Sequence, residues 1–404
     1  MHRKDAARLA IGLMALLLPS AGLLTLIPLA AVFMVEKGVR LLAATLGLLV
    51  IMRPTLALMN IDLPLYVIAI SFVASTFALL GYRRFNSLTG SIVHLLITVA
   101  IGYPLAIWIS AGTIPRESAM FLAVLGGLSG TFLNQASRLR DFAVPFGTAM
   151  VMWLFSFRYP FPELHTIILI CLFALILGVG AYWAKAADTN AVISETIVGF
   201  LVIIFAGLNW FLLLLVFYLM GGGFTRYGYA QKERLGIAQS HGGARGYKNV
   251  FSNSLVPLVM AVCYGIYGND LFLYAFLGSV ATANGDTLAS EIGETSSSRP
   301  RMITTLKETE PGVDGGVTLL GEGASLIGAL VIGILAAITG MTGLLGIAIG
   351  TLAGFLGANF DSLMGAILQS RGILSNNGVN LVATAFGAIA GGALWYMLQI
   401  WSIL

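Results

Sequence analysis

The chain has 404 residues, of which 58% are hydrophobic and 10% charged, whereas an ordinary soluble domain carries about 25% charge. With 48 glycines, a mean hydropathy of +0.92 and a net charge of only +4, the composition excludes a soluble globule, a disordered chain, a disulfide scaffold and a nucleic-acid-binding domain. At about 20 apolar residues per span, it predicts an all-α polytopic helical bundle of roughly 12–14 spans.

The first apolar run follows Met1-His2-Arg3-Lys4 and continues past Pro28 to Val35. It is too long for a signal-peptide core and reads as a membrane segment. Further apolar segments lie at about 39–58, 61–82, 87–111, 117–134, 141–157 and 164–184. Pro19, Pro28, Pro54, Pro64, Pro104 and Pro145 predict kinks or paired half-helices among them. The basic residues of these short loops do not alternate with span parity, so residues 1–189 are assigned only as a membrane region of open orientation and role. Cys171 and Cys263 lie in apolar runs and are expected to pack as small hydrophobes.

From residue 190 the organisation changes. Apolar segments at about 192–206 and 209–223 lead into a polar loop, 224–252. Segments at 253–268 and 271–285 lead into a second, 286–317. The pair at 319–339 and 342–360 leads into a third, 361–378, before a last span at 379–402. Two spans separate each polar loop from the next, so all three emerge on one side. They carry Arg226, Lys232, Arg234, Arg245, Lys248, Arg299, Arg301, Lys307 and Arg371, and the positive-inside rule makes that side cytoplasmic. Residues 225–314 hold 16 of the chain's 40 charged residues, a concentration beyond what wet loops require.

In the first loop, glycines stand beside Arg226, Arg245 and Lys248, so amides and cations can approach one anion together. The spacing is not that of a Walker P-loop, and a basic strip lying on anionic lipid headgroups is the alternative. In the second region, Ala283 to Gly293, a helix would place Asp286 and Ser290 one turn apart, with Thr287 and Glu291 on a neighbouring face. Two carboxylates at the end of a membrane helix call for a cation. Magnesium bridged to phosphates fits; a helix cap or a transporter's sodium site are the rivals. Thr304, Thr305 and Lys307 can contact anionic oxygens, and Asp314-Gly315-Gly316 reads as a tight turn with free amides and one more carboxylate. The third region supplies Asp361 and Ser362 between apolar stretches, then Asn376, Asn377 and Asn380, of which at least one is expected to cap the last helix. His241 is the one histidine in these loops, and no triad or metal-ligand histidine pattern occurs.

Taken together, residues from about 190 to 400 resemble the membrane-bound phytyl-phosphate kinases of plants and cyanobacteria and their archaeal relatives. The resemblance rests on Thr225-Arg226 with Lys232, Arg245 with Asn249 and Asn253, the block Asp286 to Gly293, Ile303-Thr304-Thr305 with Lys307, Gly315-Gly316-Val317, Asp361-Ser362, and Asn377 with Asn380. Leu288 stands where the family often has Trp, and Asn249 where Gln is common; neither touches the charged set. The resemblance implies a catalytic domain at 190–404 that moves a phosphoryl group from a nucleotide, preferably CTP, to a prenyl monophosphate. On that reading Asp286, Glu291, Asp361 and Asp314 hold Mg²⁺. Arg226, Arg245, Lys232 and Lys307 clamp phosphates, with Lys248 and the hydroxyl, amide and glycine positions around them. A membrane cytidylyltransferase acting on a lipid phosphate and a secondary transporter are the alternatives. The transporter is disfavoured because its polar residues belong at the bilayer midplane, not at one face.

Overall fold

A computed structural model describes residues 3–234, 236 and 245–403, so His241 lies outside the described residues. The chain forms two compact units, Met1–Gly178 and Val179–Leu404. The expected all-α architecture is found: among the described residues, twelve helices are long and apolar enough to cross a membrane.

The first unit begins with α1 (Arg3–Leu13) and continues through α2 (Leu18–Val35), α3 (Lys37–Ala57), α4 (Leu65–Tyr82), α5 (Ser87–Ser110) and α6 (Arg116–Ala136). A short α7 over 140–154 follows, and the chain leaves the unit within α8 (Leu164–Trp183). The single first segment expected from the sequence is in fact two helices. A tight turn, Met14–Leu16, separates α1 from α2, and α2 is itself irregular at Gly22, where φ is +51°. Two buried polar clusters of this unit are paired across helices, as burial in a low-dielectric interior favours. Arg8 on α1 meets Asp141 at 2.6 Å, and the buried His94 on α5 lies between the Ala74 carbonyl and the Thr131 hydroxyl, each at 2.9 Å. Ala74 opens a π-helical turn, Ala74–Ala78, which leaves that carbonyl free to accept from the ring.

The second unit comprises α9 (Thr189–Ala206), α10 (Leu208–Thr225), the short α11 (Tyr229–Arg234), α12 (Tyr247–Tyr267), α13 (Asp270–Gly293), α14 (Leu319–Ile338), α15 (Leu344–Gln369) and α16 (Asn376–Ile403). Side-chain caps fix three of the starts: Asp188 accepts from Ala191 N at 2.7 Å, Asn269 from Leu271 N at 2.8 Å and Thr318 from Gly321 N at 3.0 Å. Between α13 and α14 a minimal antiparallel ladder, β1 (Arg301–Met302) with β2 (Gly316–Val317), pairs Arg301 with Val317 and Met302 with Gly316.

Helix α13 is the axis of this unit, buried continuously from Leu273 to Gly285. Small residues let its neighbours approach to backbone contact: Gly328 of α14 faces Asn284 and Gly285, Gly354 of α15 faces Ala281, and Gly387 of α16 faces Gly278. Two boundaries differ from the sequence reading. Helix α13 runs on to Gly293, and α15 runs through a π turn, Gly365–Gln369, so Asp286 to Glu291 and Asp361 to Ser362 are helical, not loop. The apolar pattern stops short of the helix ends because the polar side chains there face a cavity within the bundle. The helical backbone needs no lipid-facing side chains to persist.

Candidate phosphate and metal site

The ends of α10, α12, α13, α14, α15 and α16 and the ladder enclose a polar cavity of about 320 Å³. All three polar regions of the second half therefore meet at one place, as the parity of the spans requires. Its wall includes Thr225, Arg245, Asn249, Asn253, Asp286, Thr287, Ser290, Glu291, Asp314, Gly315, Gly316, Asp361, Ser362 and Asn380 from the sequence-derived set.

At the core of the cavity, Asp286 of α13 and Asp361 of α15 bring their carboxyl groups to hydrogen-bonding contact. Asp361 Oδ2 is buried with no partner. Two adjacent carboxyl groups with an orphaned oxygen are the donor set that one hard cation satisfies, and Mg²⁺ takes one or two protein carboxylates when phosphate and water complete its shell. Asp314, beyond them on the turn before β2, is held by Gln369 Nε2 at 2.8 Å, and burial pushes its carboxyl above the ordinary value. Glu322 of α14 accepts from Asn359 Nδ2 at 3.0 Å on the same wall.

Of the metal set expected from the sequence, Asp286 and Asp361 stand together, Asp314 lies beyond them and Glu291 is engaged by other partners. Among the described residues, no three acidic, histidine or cysteine side chains converge closely enough to hold an ion. Glu291 is committed elsewhere: one oxygen accepts from Thr225 Oγ1 at 2.8 Å and the other pairs with Lys232. Glu291 and Lys232 are 2% and 1% exposed. A charge buried this deeply is held by its partner, so Lys232 locks α11 to α13. Glu294, 3.9 Å from the same ammonium, has its carboxyl pushed up to about 7, by burial first and by Glu291 second, with Lys232 opposing.

Arg245 places its guanidinium in the cavity wall. Its backbone is pinned by Arg245 N to Ala186 O at 2.9 Å and Asp188 N to Arg245 O at 3.1 Å. Its guanidinium lies 4.9 Å from the Phe217 ring centre and 5.4 Å from that of Tyr218. Gly221 makes room, since a Cβ there would overlap the guanidinium. Burial pulls the Arg245 pKa down while Tyr218, Glu195 and Glu291 raise it, and arginine keeps its charge throughout. Nη1 is buried without a partner in a wall of the cavity.

Around these groups, Asn253 Nδ2 donates to Asn249 O at 3.0 Å, and Asn249 Oδ1 is left buried and unpartnered. Thr287 and Ser290 return their hydroxyl protons to Ala283 O at 2.8 Å and Asp286 O at 3.1 Å, which leaves their lone pairs toward the cavity. Gly315 has φ +83°, and a Cβ on it would strike Ala366 on the π turn of α15. Only glycine lets the ladder seat there.

Other sequence expectations fall outside the cavity. Arg226, Lys248, Thr304, Thr305, Lys307 and Asn377 do not line it; Arg226 donates to Ala184 O at 2.9 Å, and Lys248 and Lys307 are exposed. These loops carry their cations toward solvent because nothing in the bundle offsets the cost of burying them. Asn377 instead receives a bond from Ser252 at 3.4 Å. Sequence reasoning missed Glu195, Tyr218, Glu322 and Gln369. Glu195 and Glu322 could have been found, since an acid within a membrane helix is a functional hypothesis by default. Tyr218 and Gln369 carried no local signal.

Residues 172–388 match the integral membrane protein family DUF92. The chain is 35% identical over 234 residues to an uncharacterized membrane protein of Methanocaldococcus jannaschii, covering 58% of this chain and 94% of that protein. It is 30% identical over 273 residues to protein PGR of Arabidopsis thaliana (55% of this chain, 93% of PGR). It is 28% identical over 200 residues to the chloroplastic protein VTE6 of the same plant (47% and 60%). No solved structure matches. The match covers more than half the chain and includes the site-bearing helices, and with it the chain belongs to the DUF92 family of integral membrane proteins.

Proposed function

We propose that this protein is a Mg²⁺-dependent membrane kinase that transfers the γ-phosphoryl group of a nucleoside triphosphate, CTP by preference, to a prenyl monophosphate, giving the prenyl diphosphate. The observation that best supports this is the combination of the contacting carboxyl groups of Asp286 and Asp361 with the buried, unsatisfied Arg245 Nη1 in one cavity. A metal-bound polyphosphate needs carboxylates for its metal and a guanidinium for its oxygens. The motif resemblance to phytyl-phosphate kinases and the similarity to VTE6 support the same class of reaction.

The chemistry asks little covalent work of the protein. A phosphomonoester has a second pKa of about 6, so at neutral pH the acceptor is already an anionic nucleophile and needs no general base. Its oxygen attacks the γ-phosphorus, the new P–O bond forms as the bridge to the β-phosphate breaks, and the nucleoside diphosphate leaves. Catalysis is then positioning and charge neutralisation. Asp286 and Asp361 would hold Mg²⁺, which would supply charge neutralisation for the polyphosphate. Arg245 offers a planar fork to a phosphate, preorganised by Phe217 and Tyr218. Asn249, Asn253 and Asn380 offer neutral hydrogen bonds, and Gly315 and Gly316 line the same cavity. The basic rim, with Arg226, Lys248 and Lys307, faces the cytoplasm on this reading.

Purified protein in detergent, given CTP, Mg²⁺ and geranylgeranyl phosphate, is expected to release CDP. Release of pyrophosphate would instead establish a cytidylyltransferase, and absence of nucleotide turnover with several prenyl phosphates would defeat both enzyme readings.

A further inference from the structure

A lipid phosphate must place its head in the polar cavity and its chain somewhere apolar. The structure offers such a place on the two helices that form one wall of that cavity. An apolar groove of about 450 Å³ runs along the seam of α14 and α15, lined by Leu326, Leu330, Leu344, Ala348, Leu352 and Phe355 among others. It joins the polar site without a gap in sequence. On α14, Glu322 and Ser325 line the cavity and the next residue, Leu326, lines the groove. On α15, Ala358 and Asn359 line the cavity, and Phe355, one turn earlier, lines the groove.

The floor is closed by backbone contact. A Cβ on Gly333 would lie 3.0 Å from Ile347 Cα, so the helices touch behind the groove and it faces outward. Leu326, Leu344 and Leu352 are 46%, 84% and 47% exposed, as residues meeting hydrocarbon would be. From Phe355 to Leu344 the groove extends about 16 Å at 1.5 Å per residue, roughly half the hydrocarbon thickness.

We infer that the α14–α15 seam binds the hydrocarbon chain of the phosphorylated acceptor, with Ala348 setting how long a chain fits. The identity of this occupant rests on the phosphotransfer reading. The chain lies against Leu326 and Phe355 nearest the head, passes Leu330 and Leu352, and reaches Ala348, whose small side chain keeps the way on to Leu344 open. A larger residue there shortens the usable groove, whereas shorter acceptors end before it.

Two measurements test this on the full-length protein. With turnover as the readout, Ala348→Trp is expected to raise KM for geranylgeranyl phosphate about tenfold relative to its KM for geranyl phosphate, the loss of one to two kcal/mol of apolar contact. Ile327→Trp, exposed on α14 but outside the groove, is the control and leaves that ratio unchanged. An unchanged ratio in Ala348→Trp overturns the inference. The second measurement does not depend on turnover: a geranylgeranyl phosphate bearing a terminal diazirine is photolysed in detergent with the protein and the labelled peptides are mapped. Labelling at 326–330 and 344–355, displaced by excess geranylgeranyl phosphate, is the expected result. Undisplaced label spread over all outward helix faces shows a lipid-facing seam only and overturns it. Displaceable labelling without nucleotide turnover upholds the groove while rejecting the kinase.

Discussion

Asp286 and Asp361 meet in the cavity where α13 and α15 pack together. Asp286→Asn and Asp361→Asn are each expected to lower nucleotide turnover by about 100-fold or more, the size of losing one preorganised charge stabiliser. Folded yield should stay near wild type, measured as monodisperse protein in detergent. Arg245→Lys keeps the charge but loses the planar fork and its stacking on Phe217 and Tyr218. Steady-state kinetics should show at least about a tenfold loss in kcat/KM for the nucleotide. Lys232 behaves differently: Lys232→Met strands Glu291 in the interior, which costs about 3–5 kcal/mol, and thermal unfolding should show the deficit whatever the ligand. Combining it with Glu291→Leu should recover much of that loss. Glu294 adds a pH signature. Its folded pKa of about 7 exceeds the ordinary 4.5, so the folded state binds the extra proton in that window, and stability falls as pH rises through it. Glu294→Gln should flatten that fall when Tm is followed against pH.

At the scale of elements, the site depends on three departures from the apolar-span pattern: the extended end of α13, the π turn of α15 and the ladder seated on it. The left-handed Gly315 makes that seating possible, and Gly315→Ala combines an unfavourable φ with an overlap on Ala366. A loss of about 1–2 kcal/mol in stability is expected, with turnover falling as Asp314 is displaced. These departures also mark where the sequence was and was not legible. The Asp286 block was legible because carboxylates stand out in an apolar helix. Its extent was not, because polar residues facing an internal cavity look like the start of a loop. Arg245 and Lys232 look equivalent as cations in one glycine-rich loop. Only the fold shows that one is sealed by Glu291 and Glu294 and the other keeps an unsatisfied nitrogen. The pairing of Glu291 with Lys232 spans 59 residues, and no local pattern encodes it.

For the whole molecule, the polar cavity and the apolar groove belong to the second unit alone, Val179–Leu404. A relative matched over 94% of its own length covers 58% of this chain. The first unit carries its own buried polar pairs, Arg8 with Asp141 and His94 with Thr131, and nothing in its sequence announced them as a set. The most direct test of the central claim, that this cavity performs phosphoryl transfer between a nucleotide and a lipid phosphate, is to follow isotope. CTP labelled at the γ-phosphorus, in parallel with CTP labelled at the α-phosphorus, is incubated with the full-length protein, Mg²⁺ and geranylgeranyl phosphate, and the lipid is extracted. Label from the γ position should appear in the lipid diphosphate and label from the α position should remain in CDP. Label from the α position in the lipid, or from neither, would contradict the account.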